Sequence, residues 1–189
     1  MPAVPANRYV LFGAIAASAC AIDLASKSWA FERLGMPPSK SRWLVDEVFG
    51  FTTSLNEGAL FGIGQGQVVL FSVLSLFATA GIVYWLFVAR AAADLLLTVA
   101  LAGVTAGIFG NLYDRLGLPG LKWNGGAGHV VGERVYAVRD WLHFKFDPVI
   151  DWPIFNVADS LLVCGAALLV FHALRGTKTA AAPAAAKQD

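Results

Sequence analysis

Four long apolar stretches constrain what this chain can fold into. They lie near Tyr9 to Trp29, Val68 to Val88, Leu95 to Leu112 and Ile154 to Leu174. A helix needs roughly 20 apolar residues to cross about 30 Å of hydrocarbon, where no water is available to hydrogen-bond an open backbone. Hydrophobic residues make up 57% of the 189 positions and charged residues 14%, which is too apolar for an ordinary soluble domain. We therefore predict an all-α membrane protein with four transmembrane helices.

The charged residues and histidines argue against two kinds of binding site. The net charge is +1 and the basic residues form no run, so the basic patch of a nucleic-acid-binding protein is missing. The three histidines, His129, His143 and His172, lack the spacing that metal sites favour. We expect apolar or amphipathic partners, no nucleic acid, and neither a metal nor an organic cofactor.

Four crossings place both termini on one side of the membrane, so two connecting segments share the opposite side. The first segment, Phe31 to Gly66, contains the β-branched and aromatic stretch Phe51 to Leu55, followed by Asn56-Glu57-Gly58. This pattern predicts a short strand and a turn. The second segment, Tyr113 to Pro153, is repeatedly interrupted by glycine. We expect it to be mostly irregular, with a short amphipathic piece near Val138 to Phe146.

The domain organisation follows from these segments. Residues 1–176 are predicted to form a single integral membrane domain with a hairpin turn near Ala89 to Asp94. The tail from Thr177 to Asp189 is rich in alanine and is predicted to be disordered.

Charged residues inside a spanning helix are costly, and each is a candidate for function. Asp23 and Lys27 stand four residues apart in the first apolar stretch, which places both side chains on one face of a helix. We interpret them as a structural ion pair in preference to catalytic groups.

Two further carboxylates carry the same local motif, Asn-x-x-Asp. Asn111 and Asp114 end the third apolar stretch, and Asn156 and Asp159 begin the fourth. Because one helix reaches the outer interface where the other leaves it, the two carboxylates are expected at the same depth, facing each other. Two adjacent carboxyls that share one proton can hydrolyse an amide, and the asparagines could orient them and stabilise an oxyanion.

The alternative is structural. Asp159 could cap the fourth helix, where an anion is favourable, and Asp114 could pair with Arg115. A helix C-terminus is an unfavourable place for an anion, so the position of Asp114 favours the catalytic interpretation.

The sequence resembles the bacterial lipoprotein signal peptidases over nearly all of the chain before the tail. Five blocks carry the resemblance, and they occur in order at matching places on four helices. They are Asp23-x-x-x-Lys27, Asn56-Glu57-Gly58-Ala59-x-Phe61-Gly62, Gly110-Asn111-x-x-Asp114-Arg115, Val138-Arg139-Asp140 and Phe155-Asn156-Val157-Ala158-Asp159-Ser160.

The resemblance implies a role for each of these residues. Asp114 and Asp159 would be the catalytic aspartates. The residues lining the substrate would be Asn56, Asn111, Arg115, Asn156 and Ala158, and the structural residues would be Asp23, Lys27, Gly58 and Asp140. Two departures from the family pattern stand out: a longer, glycine-rich stretch between Arg115 and Asp140, and the polar neighbour Arg139 beside that aspartate. Asp140 is therefore interpreted as structural in preference to catalytic.

The resemblance also implies an activity and a location. The chain would be an intramembrane aspartyl endopeptidase that removes signal peptides from diacylglyceryl-modified prolipoproteins, cutting just before the lipidated cysteine. We expect a monomer in the bacterial inner membrane, in contact with membrane lipids. The active site would lie near the extracytoplasmic face, beside a small β-rich cradle and an irregular outer loop. The raw count of Lys and Arg favours the opposite orientation, but Arg8, Arg90 and Arg175 abut helix ends and favour cytoplasmic termini.

The same sequence allows two other interpretations. A small proton-coupled carrier or channel subunit could use Asp23, Asp114 and Asp159 as a relay, although a relay should spread through the membrane depth. The first apolar stretch could be a cleaved signal ending at Cys20. However, the position of Ala17 lacks the usual bulky aliphatic residue, and the helical pattern continues past Cys20.

Overall fold

The computed structural model describes residues 3–58, 64–125, 128–146 and 148–180, with residues 176–180 described by their backbone only. The helices are α1 (Ala6–Leu34), α2 (Val68–Val83), α3 (Leu95–Arg115) and α4 (Val157–Ala180). A π-helical segment, Tyr84–Val88, continues α2. With it, four helices within the described residues are long and apolar enough to cross a membrane. The prediction of four spans is confirmed.

The helix ends differ from the predicted ones in ways that matter for the site. α3 continues three residues beyond Leu112 to Arg115, so Asp114 lies inside its last turn. α4 begins at Val157 and not at Ile154, which leaves Asn156 just before the helix. It continues to Ala180, so residues 177–180 of the predicted tail are helical. Residues 181–189 lie outside the described part of the chain.

α3 is the central helix of the bundle. It packs along its length against α1 and α4 and more lightly against α2. Its buried positions include many small residues, which let the neighbouring backbones approach closely. α2 exposes most of its large apolar side chains, and α1 exposes several, such as Val10 and Ile22, as expected for helices whose outer faces meet lipid.

A four-stranded antiparallel sheet lies beyond the helices, in the order β1-β2-β3-β4. Its strands are β1 (Arg42–Val45), β2 (Phe49–Asn56), β3 (Val138–Phe146) and β4 (Ile150–Asp151). The predicted strand at Phe51 to Leu55 is confirmed and forms the middle of β2. The rest of the block that begins at Asn56, residues 59–63 with Ala59, Phe61 and Gly62, lies outside the described residues.

The second connecting segment is more ordered than predicted, because Val138 to Phe146 forms a central strand of the sheet. Every second residue from Val138 is apolar except Asp140, so the strand pattern is present but interrupted by one acid. β3 pairs with β2 so that Ser54 lies opposite Asp140 and Asn56 opposite Val138. The short amphipathic piece predicted for these nine residues is thus a β-strand.

The sheet is also fixed to the start of α4. Leu142 and Phe155 form an isolated antiparallel bridge, in which the Leu142 amide donates to the Phe155 carbonyl at 2.8 Å and the Phe155 amide donates back at 3.0 Å. Asp140 and Asn156 are thereby held next to the C-terminus of α3. The polar residues of three separate sequence blocks meet at this point.

The close packing of α3 on α4 gives a stability prediction. A Cβ added at Gly107 would lie 2.6 Å from the Ala158 carbonyl oxygen, whereas one at Gly103 would meet only Leu161, at 4.0 Å. We expect Gly107→Ala to lower the free energy of unfolding by about 1–3 kcal/mol, as overpacking does. Thermal unfolding of the purified protein in detergent measures this.

Gly103→Ala is the matched control, because it makes the same change on the same helix. It should be neutral or slightly stabilising, since alanine favours a helix over glycine. Equal melting temperatures for the two variants would contradict the packing of α3 against α4 described above.

Candidate active site

A buried lysine stands at the centre of the polar network. The Lys27 ammonium lies 2.7 Å from Asp23 Oδ2 and 3.1 Å from Asp114 Oδ2, and all three side chains are fully buried. It also donates to Asn111 Oδ1 at 2.9 Å. The predicted ion pair of Asp23 and Lys27 is present within α1, and Lys27 also connects it to Asp114 on α3. A buried ammonium needs such partners, because its desolvation is otherwise very costly.

Asp23 fastens α4 to this network with its second oxygen. Its Oδ1 accepts a hydrogen bond from the Ala158 amide at 2.8 Å, in the first turn of α4. Ala158 is fully buried, and a Cβ on Gly110 would collide with the Asp23 carboxylate. Gly110 and Ala158 are therefore small because α1, α3 and α4 converge here. The structure places Ala158 in helix packing and not on a surface open to substrate.

Asp114 is held by two cations, and this corrects the expected arrangement of the two motifs. Its Oδ2 contacts Lys27 and accepts from the Arg139 amide at 3.1 Å, while its Oδ1 accepts from Arg139 Nε at 2.8 Å. Its partner is thus Arg139 on β3, and not the neighbouring Arg115. Both carboxylate oxygens are occupied, so Asp114 does not face Asp159 as a free second carboxyl. The two cations also offset the unfavourable position of an anion at a helix C-terminus.

Asp159 lies in the first turn of α4 and forms a reciprocal cap with Asn156. The Asp159 amide donates to Asn156 Oδ1 at 2.9 Å, and the Asn156 amide donates to Asp159 Oδ2 at 3.3 Å. This is the geometry of a capping box. The capping role that the sequence left open therefore exists, but it leaves Asp159 Oδ1 to accept from Asn111 Nδ2 at 2.8 Å.

Asp140 is the carboxyl that shares this polar cluster with Asp159. Asn156 Nδ2 donates to Asp140 Oδ1 at 2.6 Å, and the Asn56 side chain also hydrogen-bonds to Asp140. Asp140 is only 2% exposed. Burial raises the pKa of the Asp140 carboxyl well above its ordinary value, and the negative charge of Asp159 raises it further. Asp140 therefore retains a proton at a pH where an exposed aspartate has lost it.

The two asparagines connect these carboxyls directly. Asn156 Nδ2 also donates to Asn111 Oδ1 at 3.2 Å, and Asn111 in turn donates to Asp159. Hydrogen bonds thus connect Asp140 to Asp159 through the side-chain amides of Asn156 and Asn111. The oxygens of both amides also accept hydrogen bonds from other groups. The asparagines orient the carboxyls, as expected, but they are buried and do not line a surface open to substrate.

The remaining predicted residues meet where β2 ends: Asn56 is its last residue, Gly58 follows it, and Arg115 reaches it from the end of α3. The Gly58 amide donates to Asn56 Oδ1 at 2.9 Å, and the Gly58 carbonyl accepts from Arg115 Nη2 at 2.7 Å. The Arg115 guanidinium lies over the Phe71 ring, 5.6 Å from its centroid. Asn56, Gly58 and Arg115 thus hold this loop beside Asp140.

Sequence reasoning undervalued two adjacent residues, Arg139 and Asp140. The signal was available, because an acid in the middle of an apolar alternation is costly and needs an explanation. In the sequence Arg139 stands out only as a polar neighbour of Asp140, whereas in the structure its guanidinium is the partner of Asp114.

Cavities open on two sides of the carboxyl pair. One of about 700 Å³ has almost entirely apolar walls and reaches Asp159, with Phe144, Trp152 and Phe155 among its lining residues. A smaller one, of about 170 Å³, is lined by Asn56, Gln65 and Asp140 and is more polar. An apolar segment could therefore lie against one carboxyl while water reaches the other. In the described part of the chain, no group of three or more His, Cys, Asp or Glu side chains could hold a metal ion.

Comparisons with known proteins agree with this arrangement of helices and polar residues. The model of the family described as signal peptidase (SPase) II matches residues 15–175. The chain belongs to the signal peptidase II family. A lipoprotein signal peptidase of Rhodopirellula baltica is 44% identical over 174 residues, which cover 89% of this chain and 73% of that protein. Another, from Bacillus pumilus, is 39% identical over 137 residues, covering 72% of this chain and 76% of that protein.

Two solved structures, both described as bacterial membrane enzymes, share the fold. One has a TM-score of 0.71 at 23% identity and covers 95% of this chain and 93% of its own. The other has a TM-score of 0.65 at 26% identity and covers 87% and 92%. Membership of the signal peptidase II family, together with four spanning helices, makes this chain a multi-pass membrane peptidase.

The different environments of Asp114 and Asp140 predict opposite effects of the same substitution on stability. Asp114→Asn removes a charge that two buried cations need, so it should lower the melting temperature. Asp140→Asn removes a buried acid whose folded-state pKa is raised. Such an acid costs stability as pH rises from its unfolded pKa, about 3.9, toward its folded pKa. Asp140→Asn should therefore raise the melting temperature at pH 7.

The pH dependence provides the internal control. The stabilisation by Asp140→Asn should shrink as pH falls toward the unfolded pKa of about 3.9 and vanish below it, where the wild-type carboxyl is protonated in both states. Thermal unfolding of both variants and the wild type in one detergent, across this pH range, makes the comparison. Stabilisation by Asp114→Asn would contradict the ion pairs to Lys27 and Arg139.

Proposed function

We propose that this peptidase removes signal peptides from diacylglyceryl-modified prolipoproteins and that Asp140 and Asp159 are its catalytic carboxyls. One observation carries the assignment of residues: these two carboxyls are connected through Asn111 and Asn156, and the charge of Asp159 raises the pKa of Asp140. Asp114, which the family motif suggested, has both oxygens in ion pairs. The enzyme is accordingly an aspartic endopeptidase that uses no metal or organic cofactor.

The chemistry follows from one proton shared between two acids. Asp140 carries the proton and Asp159 is ionised. Asp159 takes a proton from a water molecule as the water oxygen bonds to the scissile carbonyl carbon, and Asp140 gives its proton to the carbonyl oxygen. The tetrahedral intermediate then breaks its C–N bond. The leaving nitrogen takes the proton held by Asp159, and the carbonyl forms again as its hydroxyl proton returns to Asp140.

The two cavities suggest how the substrate lies in the site. The apolar cavity beside Asp159 would take the apolar part of the substrate, while the polar cavity beside Asn56 and Asp140 would admit water. Arg115 and the Asn56 loop would position the peptide backbone. The scissile bond lies just before the lipidated cysteine, whose acyl chains stay at the depth of the bilayer interface.

The proposed setting is the bacterial inner membrane. Both termini would face the cytoplasm, and the sheet and the carboxyl pair would lie near the extracytoplasmic face, where water is available. The enzyme would act as a monomer in contact with membrane lipids. A proton-coupled carrier is not favoured, because Asp23, Asp114 and Asp159 gather in one network where a relay would need them spread through the membrane.

Activity separates the three aspartates. We expect Asp140→Asn and Asp159→Asn each to insert in the membrane and to lose about 100-fold or more of the cleavage rate, because a neutral amide cannot take part in proton transfer. Asp114→Asn should retain far more activity per folded molecule. The assay is cleavage of a diacylglyceryl prolipoprotein by purified enzyme in detergent, followed by gel shift.

Folded enzyme is quantified for each variant by size exclusion and thermal unfolding, so that loss of protein is not mistaken for loss of chemistry. Substantial turnover by Asp140→Asn would exclude Asp140 from the dyad. Complete inactivity of well-folded Asp114→Asn, with Asp140→Asn active, would restore the pairing expected from the two Asn-x-x-Asp motifs.

Selectivity for the lipid gives a separate prediction. Acyl chains already lie in an apolar medium before they bind, so their main contribution is to hold the scissile carbonyl at the depth of the carboxyls. The detergent-solubilised enzyme should cut the lipidated precursor and leave the same precursor with a free thiol essentially uncut. Both forms are compared at equal concentration, with Asp159→Asn as the blank. Equal cleavage rates would mean that the lipid does not direct positioning.

A further inference from the structure

The glycine-rich segment between α3 and β3 contains a short hairpin that packs beside the site. Lys122 and Arg134 pair across it, and the Trp123 amide donates to the Glu133 carbonyl at 2.8 Å. Trp123 packs with Val135 and Ala137 in a small buried cluster that also includes Leu55 of β2. Ala137 directly precedes β3, so the hairpin is built onto the strand that carries Asp140.

His129 is the point where this hairpin reaches the loop that follows β2. Its Nε2 lies 3.3 Å from Glu57 Oε2, and its Nδ1 lies 3.5 Å from Glu133 Oε2. The imidazole also stacks on Trp123, with ring centroids 4.0 Å apart and the planes within 4° of each other. The ring is thus placed between two carboxylates from two different segments, and its side chain is only 21% exposed.

Glu57 stands between two residues that belong to the site. Asn56 hydrogen-bonds to Asp140, and the Gly58 carbonyl accepts from Arg115. The Glu57 backbone is also held in place, because its amide donates a hydrogen bond to Gln65 Oε1 at 3.2 Å. A contact made by the Glu57 side chain therefore acts on the backbone next to Asn56, whose side chain hydrogen-bonds to Asp140.

We propose that His129 is a positioning residue, which in its protonated form clamps the hairpin to Glu57 and thereby holds Asn56 against Asp140. The inference rests on the proposed function, because it assigns the effect to the Asp140 and Asp159 pair. An imidazolium is attracted to both carboxylates, whereas a neutral imidazole can donate only one hydrogen bond. Of the described residues, the charged groups that contact the ring are Glu57 from the β2 loop and Glu133 from the hairpin.

The expected consequence is a dependence on pH that belongs to His129. Imidazole changes charge between about pH 5 and 8. The clamp should be strongest toward the acidic end of this range, because an imidazolium binds both carboxylates, and weaker toward the alkaline end. A change of pH at the extracytoplasmic face would in this way change the activity of the enzyme.

The experiment measures kcat/KM for the lipidated precursor across this pH range and expresses each variant relative to the wild type. Dividing the kcat/KM of the variant by that of the wild type removes the pH dependence that the two enzymes share. The wild type should exceed His129→Gln by about two- to fivefold at the acidic end, the effect expected of a partly exposed ion pair. The difference should disappear at the alkaline end.

His129→Arg tests whether charge is what matters. A guanidinium is always protonated, can bind carboxylates and can stack on Trp123. This variant should keep the wild-type acidic value of kcat/KM to higher pH. His172→Gln is the matched control, because it removes another histidine next to a carboxylate, Asp94, at 2.9 Å. That pair joins α4 to the start of α3, at the far end of both helices from the carboxyl pair, so the ratio should not change with pH.

A double-mutant cycle assigns the partner. His129→Gln and Glu57→Gln should be non-additive at acidic pH, since they remove the same interaction. A pH-independent ratio for folded His129→Gln would overturn the proposal. Coupling of His129→Gln to Glu133→Gln alone would also overturn it, because His129 would then act only within its own hairpin. The proposed function fails separately: it is excluded by active Asp140→Asn, whatever the ratios for His129 are.

Discussion

Lys27 carries a positive charge in a position with no exposed surface, and much of the structure follows from the need to compensate it. Its partners are Asp23 on its own helix and Asp114 and Asn111 on α3. Breaking one such contact would leave a buried charge unpaired, which typically costs several kcal/mol. These polar contacts therefore fix how α1 is rotated against α3. Contacts with lipid could not fix that rotation, because lipid is as apolar as the helix faces that meet it.

The same network divides the acids into two groups. Asp23 and Asp114 are held in ion pairs with Lys27 and Arg139. Asp140 and Asp159 receive hydrogen bonds from asparagine amides instead of direct contacts with cations. An amide donor orients a carboxyl without fixing its charge, so a proton can still move between the pair and a substrate. Under the proposed function, cation partners therefore mark the supporting acids and amide partners mark the acids that transfer protons.

The sequence predicted the architecture better than the pairing of its carboxyls. Helix number, the strand at Phe51 to Leu55 and the ion pair of Asp23 with Lys27 all follow from local periodicity and spacing, which are properties of a short segment. The partner of Asp114 is a property of the tertiary fold. Arg139 is 25 residues away on a strand whose alternation is broken by its own functional acid, so local patterns gave no reason to bring them together.

Asp159 shows why a structural and a catalytic role need not exclude each other. Its cap with Asn156 fixes the first turn of α4, and the same bonds set the direction of its carboxylate. Asn156 also holds Asp140 and is anchored through Phe155 to β3. The start of the helix, the edge of the sheet and the two acids consequently form one rigid unit. Preorganisation of this kind places two buried carboxyls close together before any substrate binds, and folding must bear the cost of burying them. The cation-bound acids nearby, which strengthen the contact of α1 with α3, offset part of that cost.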